Sequence, residues 1–148
     1  MTSRLVRAGL AASAGLLTAT LITVGTAAAG RDQATSINAL RGAELFKTYC
    51  ASCHGTSARG DGPLAASMRR TPSNLTEIAT RHKGAYPKEL VFKIIDGRQR
   101  VAGHGGPDMP VWGDAFMRTS DNPNEDSVRD RIQALVDYLE TVQARNTQ

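Results

Sequence analysis

Cysteine is almost missing from this sequence: 148 residues contain two, Cys50 and Cys53. A bridge between residues three apart would close too small a loop to restrict the unfolded chain much. A structural zinc site needs four ligands, usually with a second pair at defined spacing, and His82 and His104 do not form one. Large aromatics are also scarce, with one Trp, three Tyr and three Phe. A core built only from the remaining side chains, among them many Gly, Pro, Ser, Thr and Arg, would be thin. Small domains of that kind need added stabilisation, which a large apolar cofactor would supply. No block of like charge stands out, so the basic patch expected of a nucleic-acid binder is lacking. Strand-type alternation and internal repeats are absent as well, which argues against a sheet or a repeat array.

What is present begins with a leader. Arg4 and Arg7 precede a small and apolar run from Ala8 to Ala29, ending in Ala27-Ala28-Ala29 before Gly30-Arg31-Asp32. A positive start, an apolar middle and a small-residue end are the pattern of a secretory signal peptide. The alternative is an uncleaved membrane anchor, although Gly9, Gly15, Thr18, Thr20, Thr23, Gly25 and Thr26 dilute the run. No cysteine lies near the cleavage point for lipid attachment. Removing 29 of the 148 residues leaves 119, and the formal charge of +4 falls to +2 as Arg4 and Arg7 leave. That is one small domain, 37–148, behind a short polar lead at 30–36, expected to be flexible.

Helical periodicity dominates the rest. Ile37 to about Cys53 reads as a helix with Leu40, Ala43, Phe46 and Cys50 on one face and Leu45 and Tyr49 beside it. Ser36 or Asn38 would cap its start. Residues 55–74 read as loop with a helical turn at Leu64–Met68, and Leu75–Thr80 as a short helix capped by Asn74. In "YPKELVFKIIDGR" Pro87 suits the start of a helix and Gly97 its stop, with Leu90, Val91, Ile94 and Ile95 as the apolar stripe. Residues 97–125 read as irregular. A last helix runs from about Asp126 to Arg145, burying Ile132, Leu135, Val136, Leu139 and Val142. Helices joined by long loops imply something to wrap around.

The segment "YCASCHG" carries the chemistry. On a helix, Cys50, Cys53 and His54 point broadly one way. Two thiols can then add to the two vinyl groups of a haem while the imidazole reaches its iron. Cys-x-x-Cys-His is the attachment signature of c-type haem. A thioredoxin-like dithiol would need a neighbouring βαβ pattern, which is not there. An export signal agrees with haem c, which is attached outside the cytoplasm.

"CASCHG" together with the later "DMPVWG" resembles the class I c-type cytochromes, of the small soluble bacterial kind, over most of residues 37–144. The resemblance implies an all-α cytochrome c fold, three to five helices with long loops around one covalently bound haem c. It implies thioether links at Cys50 and Cys53, His54 as one iron ligand and a methionine as the other. Met109, flanked by Gly105, Gly106, Pro107 and Asp108 on one side and Pro110 on the other, matches the family's Met-Pro motif. Met117 beside Phe116 suits packing, and Met68 precedes Arg69-Arg70. His104, in the same loop as Met109, is the competing ligand. His82 lies between charged neighbours and suits solvent.

In the family a proline carbonyl after the motif orients the histidine, which points to Pro63 of "DGPL". Leu64, Leu75, Ile95 and Trp112 are candidate haem-pocket residues, each equally suited to ordinary core; the Trp112 indole is a candidate donor to a propionate. The family's crossing of first and last helices maps onto Gly42 and Phe46 against Leu135 and Tyr138.

A thioether ligand stabilises ferrous iron relative to ferric, and two protein ligands leave no open position for substrate. The resemblance thus implies an electron carrier with a redox donor and acceptor as partners, not an enzyme, periplasmic or secreted, as a monomer or as a subunit of a larger complex. A membrane location follows only if the leader stays attached. Lys83, Lys88, Lys93, Arg98, Arg100, Arg69 and Arg70 would form a modest basic rim toward an acidic partner, or an ordinary solvated surface. Two other readings stay open: an electron-transfer subunit of a periplasmic dehydrogenase or oxidase, and a haem enzyme or ligand sensor whose sixth ligand is displaced.

Overall fold

The structure, a computed structural model, describes residues 26–99 and 109–144. Residues 1–25, which carry most of the expected leader, and the expected competing ligand His104 lie outside the described residues. Six helices follow in order: α1 (Thr26–Tyr49), α2 (Ala51–His54), α3 (Ile78–Arg81), α4 (Lys88–Asp96), α5 (Trp112–Arg118) and α6 (Glu125–Thr141). Short 3₁₀ turns sit at Ala65–Ser67 and Leu75–Glu77. Among the described residues there is no strand.

The framework is the pairing of α1 with α6. Gly42 makes it possible, because a Cβ there would run into the Ala134 carbonyl and sit 2.7 Å from Tyr138 Cβ. One turn on, Phe46 is buried and its ring lies 5.3 Å from that of Tyr138. Leu135 is buried at the same crossing. The α6 stripe expected from periodicity is buried at Ile132, Leu135, Val136 and Leu139, and half-buried at Val142. Helix α4 packs on α6 through Val91 and Ile95, leaving Leu90 and Ile94 half-buried.

Local chemistry sets the helix ends. The Asn124 side chain accepts from Ser127 N at 2.8 Å while Ser127 Oγ accepts from Asn124 N, and Glu125 and Asp126 fill the first turn. This capping box satisfies two backbone donors, and the acidic turn faces the positive end of the helix dipole. Asn124→Ala is expected to lower stability by about 1 kcal/mol, measured by thermal unfolding; no change would mean the box is open in solution. Helix α4 begins after Pro87 and stops at Gly97, whose φ of 69° suits a residue without Cβ and lets its N–H donate to Lys93 O at 3.0 Å.

Several expectations are corrected. Residues 26–49 are helical as α1, so residues 30–36, expected as a polar lead, lie in that helix, and Ser36 and Asn38, expected as caps, lie inside it. The stretch holds no proline, and Ala27–Ala29, Gln33 and Ala34 favour helix. Leu40, expected on the buried face, is 72% exposed, because the close approach at Gly42 turns the Gly42–Phe46 stripe toward α6 instead. The expected continuous helix through Cys53 is interrupted at Cys50. Residues 97–125, expected to be irregular, contain α5, which is held by its partners: Phe116 is fully buried and packs on Tyr49 and Trp112. Helix α6 ends at Thr141, after which Gln143 ties the chain down through bonds to Leu75 O, Leu139 O and Ala79 N.

Candidate functional site

The end of α1 and the single turn α2 build the site. Cys50 leaves ideal helical geometry (φ −114°, ψ −32°), yet its carbonyl still accepts from Cys53 N at 3.1 Å and His54 N at 2.9 Å. Gly55 closes the turn through Ala51 O at 2.9 Å. Both thiols and the imidazole are thereby gathered on one tight turn, all half-buried, and neither thiol is in a disulfide.

The following loop folds back onto that turn. Gly60 N donates to His54 O at 2.8 Å, Gly62 N to Cys53 O at 3.2 Å and Leu64 N to Ser52 O at 2.9 Å. Further along, His54 Nδ1 lies 3.1 Å from Ser73 O. A carbonyl only accepts, so Nδ1 carries the proton and Nε2 presents its lone pair. A backbone bond of this kind orients a metal-binding imidazole. The carbonyl is that of Ser73 and not of Pro63 as the resemblance implied. Pro63 is exposed, and its neighbours Gly62 and Leu64 are spent on backbone carbonyls of the motif. Sequence reasoning missed Ser73 because a backbone oxygen has no residue signature.

The electrostatics bear on the rival chemistries. Burial, with a smaller contribution from Cys53, pushes the Cys50 thiol up to about 12. A redox dithiol works through a thiol lowered toward neutrality, so Cys50 is poorly suited to that role. Burial also lowers His54 below its ordinary value, opposed by the Ser73 bond, which favours the neutral ring that metal binding requires. Among the described residues no group of three or more His, Cys, Asp or Glu is arranged to hold a metal ion by itself.

The other expected site residues fall around this turn in different ways. Leu64 is tied beside the motif with 52% of its surface exposed. Leu75 is half-buried against the core, its N–H donating to Ala58 O. Ile95 is buried in the core. Trp112 is half-buried, with its ring 5.6 Å from that of Tyr49, the residue before Cys50, so the start of α5 is brought to the motif. Met109 is half-buried three residues before Trp112, and Val111 between them is left exposed. Met117 packs against the core.

These features fit a haem. Two free thiols and an oriented imidazole share one turn, Trp112 of α5 packs on Tyr49 just before it, and the apolar side chains of Leu64 and Val111 are uncovered. The expected basic rim is thinner than its sequence: Arg98 is paired with Asp96 and Glu125, Lys88 with Glu140 at 2.7 Å, and Arg100 lies outside the described residues. Sequence reasoning also missed the platform of Tyr49, Trp112 and Phe116, on which the Arg131 guanidinium rests 4.7 Å from the Phe116 ring centre.

A search of curated proteins and a search of solved structures each return no match. The sequence profile described as cytochrome c matches residues 39–143, from the middle of α1 past the end of α6, and spans the whole site. The chain therefore belongs to the cytochrome c family: it is an all-α electron-transfer protein that carries one covalently bound haem c.

Proposed function

We propose that the protein is a periplasmic electron carrier whose haem is held by thioethers from Cys50 and Cys53 and ligated by His54 and Met109. The observation that carries this reading is the His54 ring, oriented by Ser73 O beside two free thiols on a single turn. The haem, when bound, supplies a one-electron couple at its iron. The chain's residues do the rest. Ser73 O keeps the proton on Nδ1, so Nε2 remains a donor to the metal through an oxidation change. The Met109 thioether would be the second protein ligand to the iron and would leave no open position for small ligands. Side chains of Leu75, Ile95 and Trp112 would exclude water from the haem, which raises the preference for the less charged ferrous state. Leu64 and Val111, both exposed, bring apolar surface to the face where redox partners dock.

The leader pattern at residues 1–29 supports export to the periplasm, with tethering to the membrane if it stays attached. No helix among the described residues is long and apolar enough to cross a membrane.

The ferric holoprotein is expected to show a thioether-to-iron charge-transfer band, and the ferrous form to resist carbon monoxide. Met109→Ala is expected to abolish the band and admit carbon monoxide. An unchanged spectrum in that variant would remove Met109 from the iron. Rapid carbon monoxide binding by the unaltered protein would favour a haem enzyme or sensor.

A further inference from the structure

Arg98 does more than carry surface charge. Its Nη1 donates to both carboxylate oxygens of Glu125, at 2.8 and 2.9 Å, and its Nε and Nη2 both reach Asp96 Oδ1 at 2.8 Å. Asp96 is the buried last residue of α4, and Glu125 is the first residue of α6. One planar guanidinium therefore holds two helix ends that flank the chain segment carrying Met109. The start of α5 lies directly on this junction. A Cβ on Gly113 would collide with Asp96 Oδ1 and with Arg98 Nε, and would sit 2.9 Å from Arg98 Cδ. Nearby, a Cβ on Gly97 would come within 3.2 Å of Val111 Cα. Gly113 thus rests against Asp96 and Arg98, and Val111 against Gly97 between them, with Met109 four and two residues before them.

Isolated surface ion pairs contribute little to stability. This arrangement is different in kind: a fork that engages two carboxylates, one of them buried, fixes geometry in a way a flexible ammonium cannot. We infer that Asp96, Arg98 and Glu125 form a positioning clamp that sets where the first turn of α5 begins and thereby how firmly Met109 is presented to the iron. The inference rests on the reading of Met109 as the sixth ligand. Arg98 is thereby a positioning residue: it acts through the backbone of residues 111–113. The sequence pattern alone placed it in a solvated rim, because Glu125 is 27 positions away.

The test is competition for the sixth position. Ferric holoprotein is titrated with imidazole, following loss of the charge-transfer band, for the unaltered chain and for Arg98→Met, Arg98→Lys and Glu125→Gln. Thermal unfolding is recorded for each. Arg98→Met is expected to surrender the band at roughly tenfold lower imidazole, the lower end of the effect of removing a group that orients a metal ligand. Glu125→Gln, which keeps the fold least disturbed, is expected to shift the same way by less, and Arg98→Lys to restore only part. Tyr86→Phe serves as the control. It deletes a bond from Tyr86 Oη to Val136 O, away from α5, and is expected to lower stability without moving the imidazole midpoint. A midpoint unchanged in both Arg98→Met and Glu125→Gln, or moved equally by Tyr86→Phe, would overturn the clamp and leave it a plain stabilising ion pair. If the band is absent from the unaltered protein and Met109→Ala changes nothing, the ligation reading itself fails, and the clamp with it. A band lost in Met109→Ala but insensitive to Arg98 would sink the clamp alone.

Discussion

Gly42→Val is expected to destabilise the holoprotein by about 3 kcal/mol or more, toward and beyond the upper end of what overpacking a well-packed site costs. In most helices replacing glycine gains stability, by roughly 1 kcal/mol for alanine. Here the sign reverses because the obstacle is backbone. A Cβ on Gly42 meets the Ala134 carbonyl, and a main-chain atom inside α6 cannot rotate away as a long side chain would. The α1–α6 pairing would have to separate, and Phe46 would lose its contact with Tyr138. Thermal unfolding checks the order: unaltered chain, then Gly42→Ala, then Gly42→Val, with each step downward. For a domain of this size, about 3 kcal/mol lowers the melting temperature by roughly 10–20 °C. Gly42→Ala as stable as the unaltered protein would show that the helices do not touch at this point in solution.

Phe116→Ala is expected to be as damaging, at about 3–5 kcal/mol. Phe116 is fully buried and sits at the meeting point of three elements. Tyr49 of α1 packs edge-on against it at 5.3 Å, Trp112 lies at 5.4 Å, and the Arg131 guanidinium of α6 covers it. Removing the ring opens a cavity whose lining includes a guanidinium nitrogen, Arg131 Nη1, that already has no hydrogen-bond partner. The same loss loosens α5 at its only fully buried large side chain, so, on the proposed Met109 ligation, the charge-transfer band is expected to weaken along with stability. Phe116→Leu, which keeps most of the volume, is expected to retain the band and to lose far less stability. A Phe116→Ala protein with unaltered melting temperature and spectrum would show that α5 is held by other contacts.

Both effects concern places where helices meet, and there reading from sequence succeeds unevenly. Helices α4 and α6 were legible because their apolar residues recur at helical spacing, and for α4 because Pro87 and Gly97 mark its ends; the Asn124 cap of α6 emerged only in the fold. Helix α5 was not. It has seven residues between loops rich in glycine and proline, and so short a helix has too few internal bonds to overcome the cost of nucleation. Trp112 and Phe116 hold it from outside.

The candidate site divides the same way. Cys50, Cys53 and His54 lie within five residues, so helical geometry alone places them together, and their residue types name the chemistry. Chain order therefore determined the haem attachment, the all-α class, and Gly42 as a point of close approach once the family resemblance was noted. Only the tertiary structure decided which carbonyl turns His54, because every residue has one and only the folded path brings Ser73 O within 3.1 Å. It alone took Arg98 out of the charged surface and joined it to Asp96 and Glu125. Ion pairs and backbone bonds between distant segments depend on where two chains cross, and periodicity, which records the face a residue occupies, does not specify the partner it meets there.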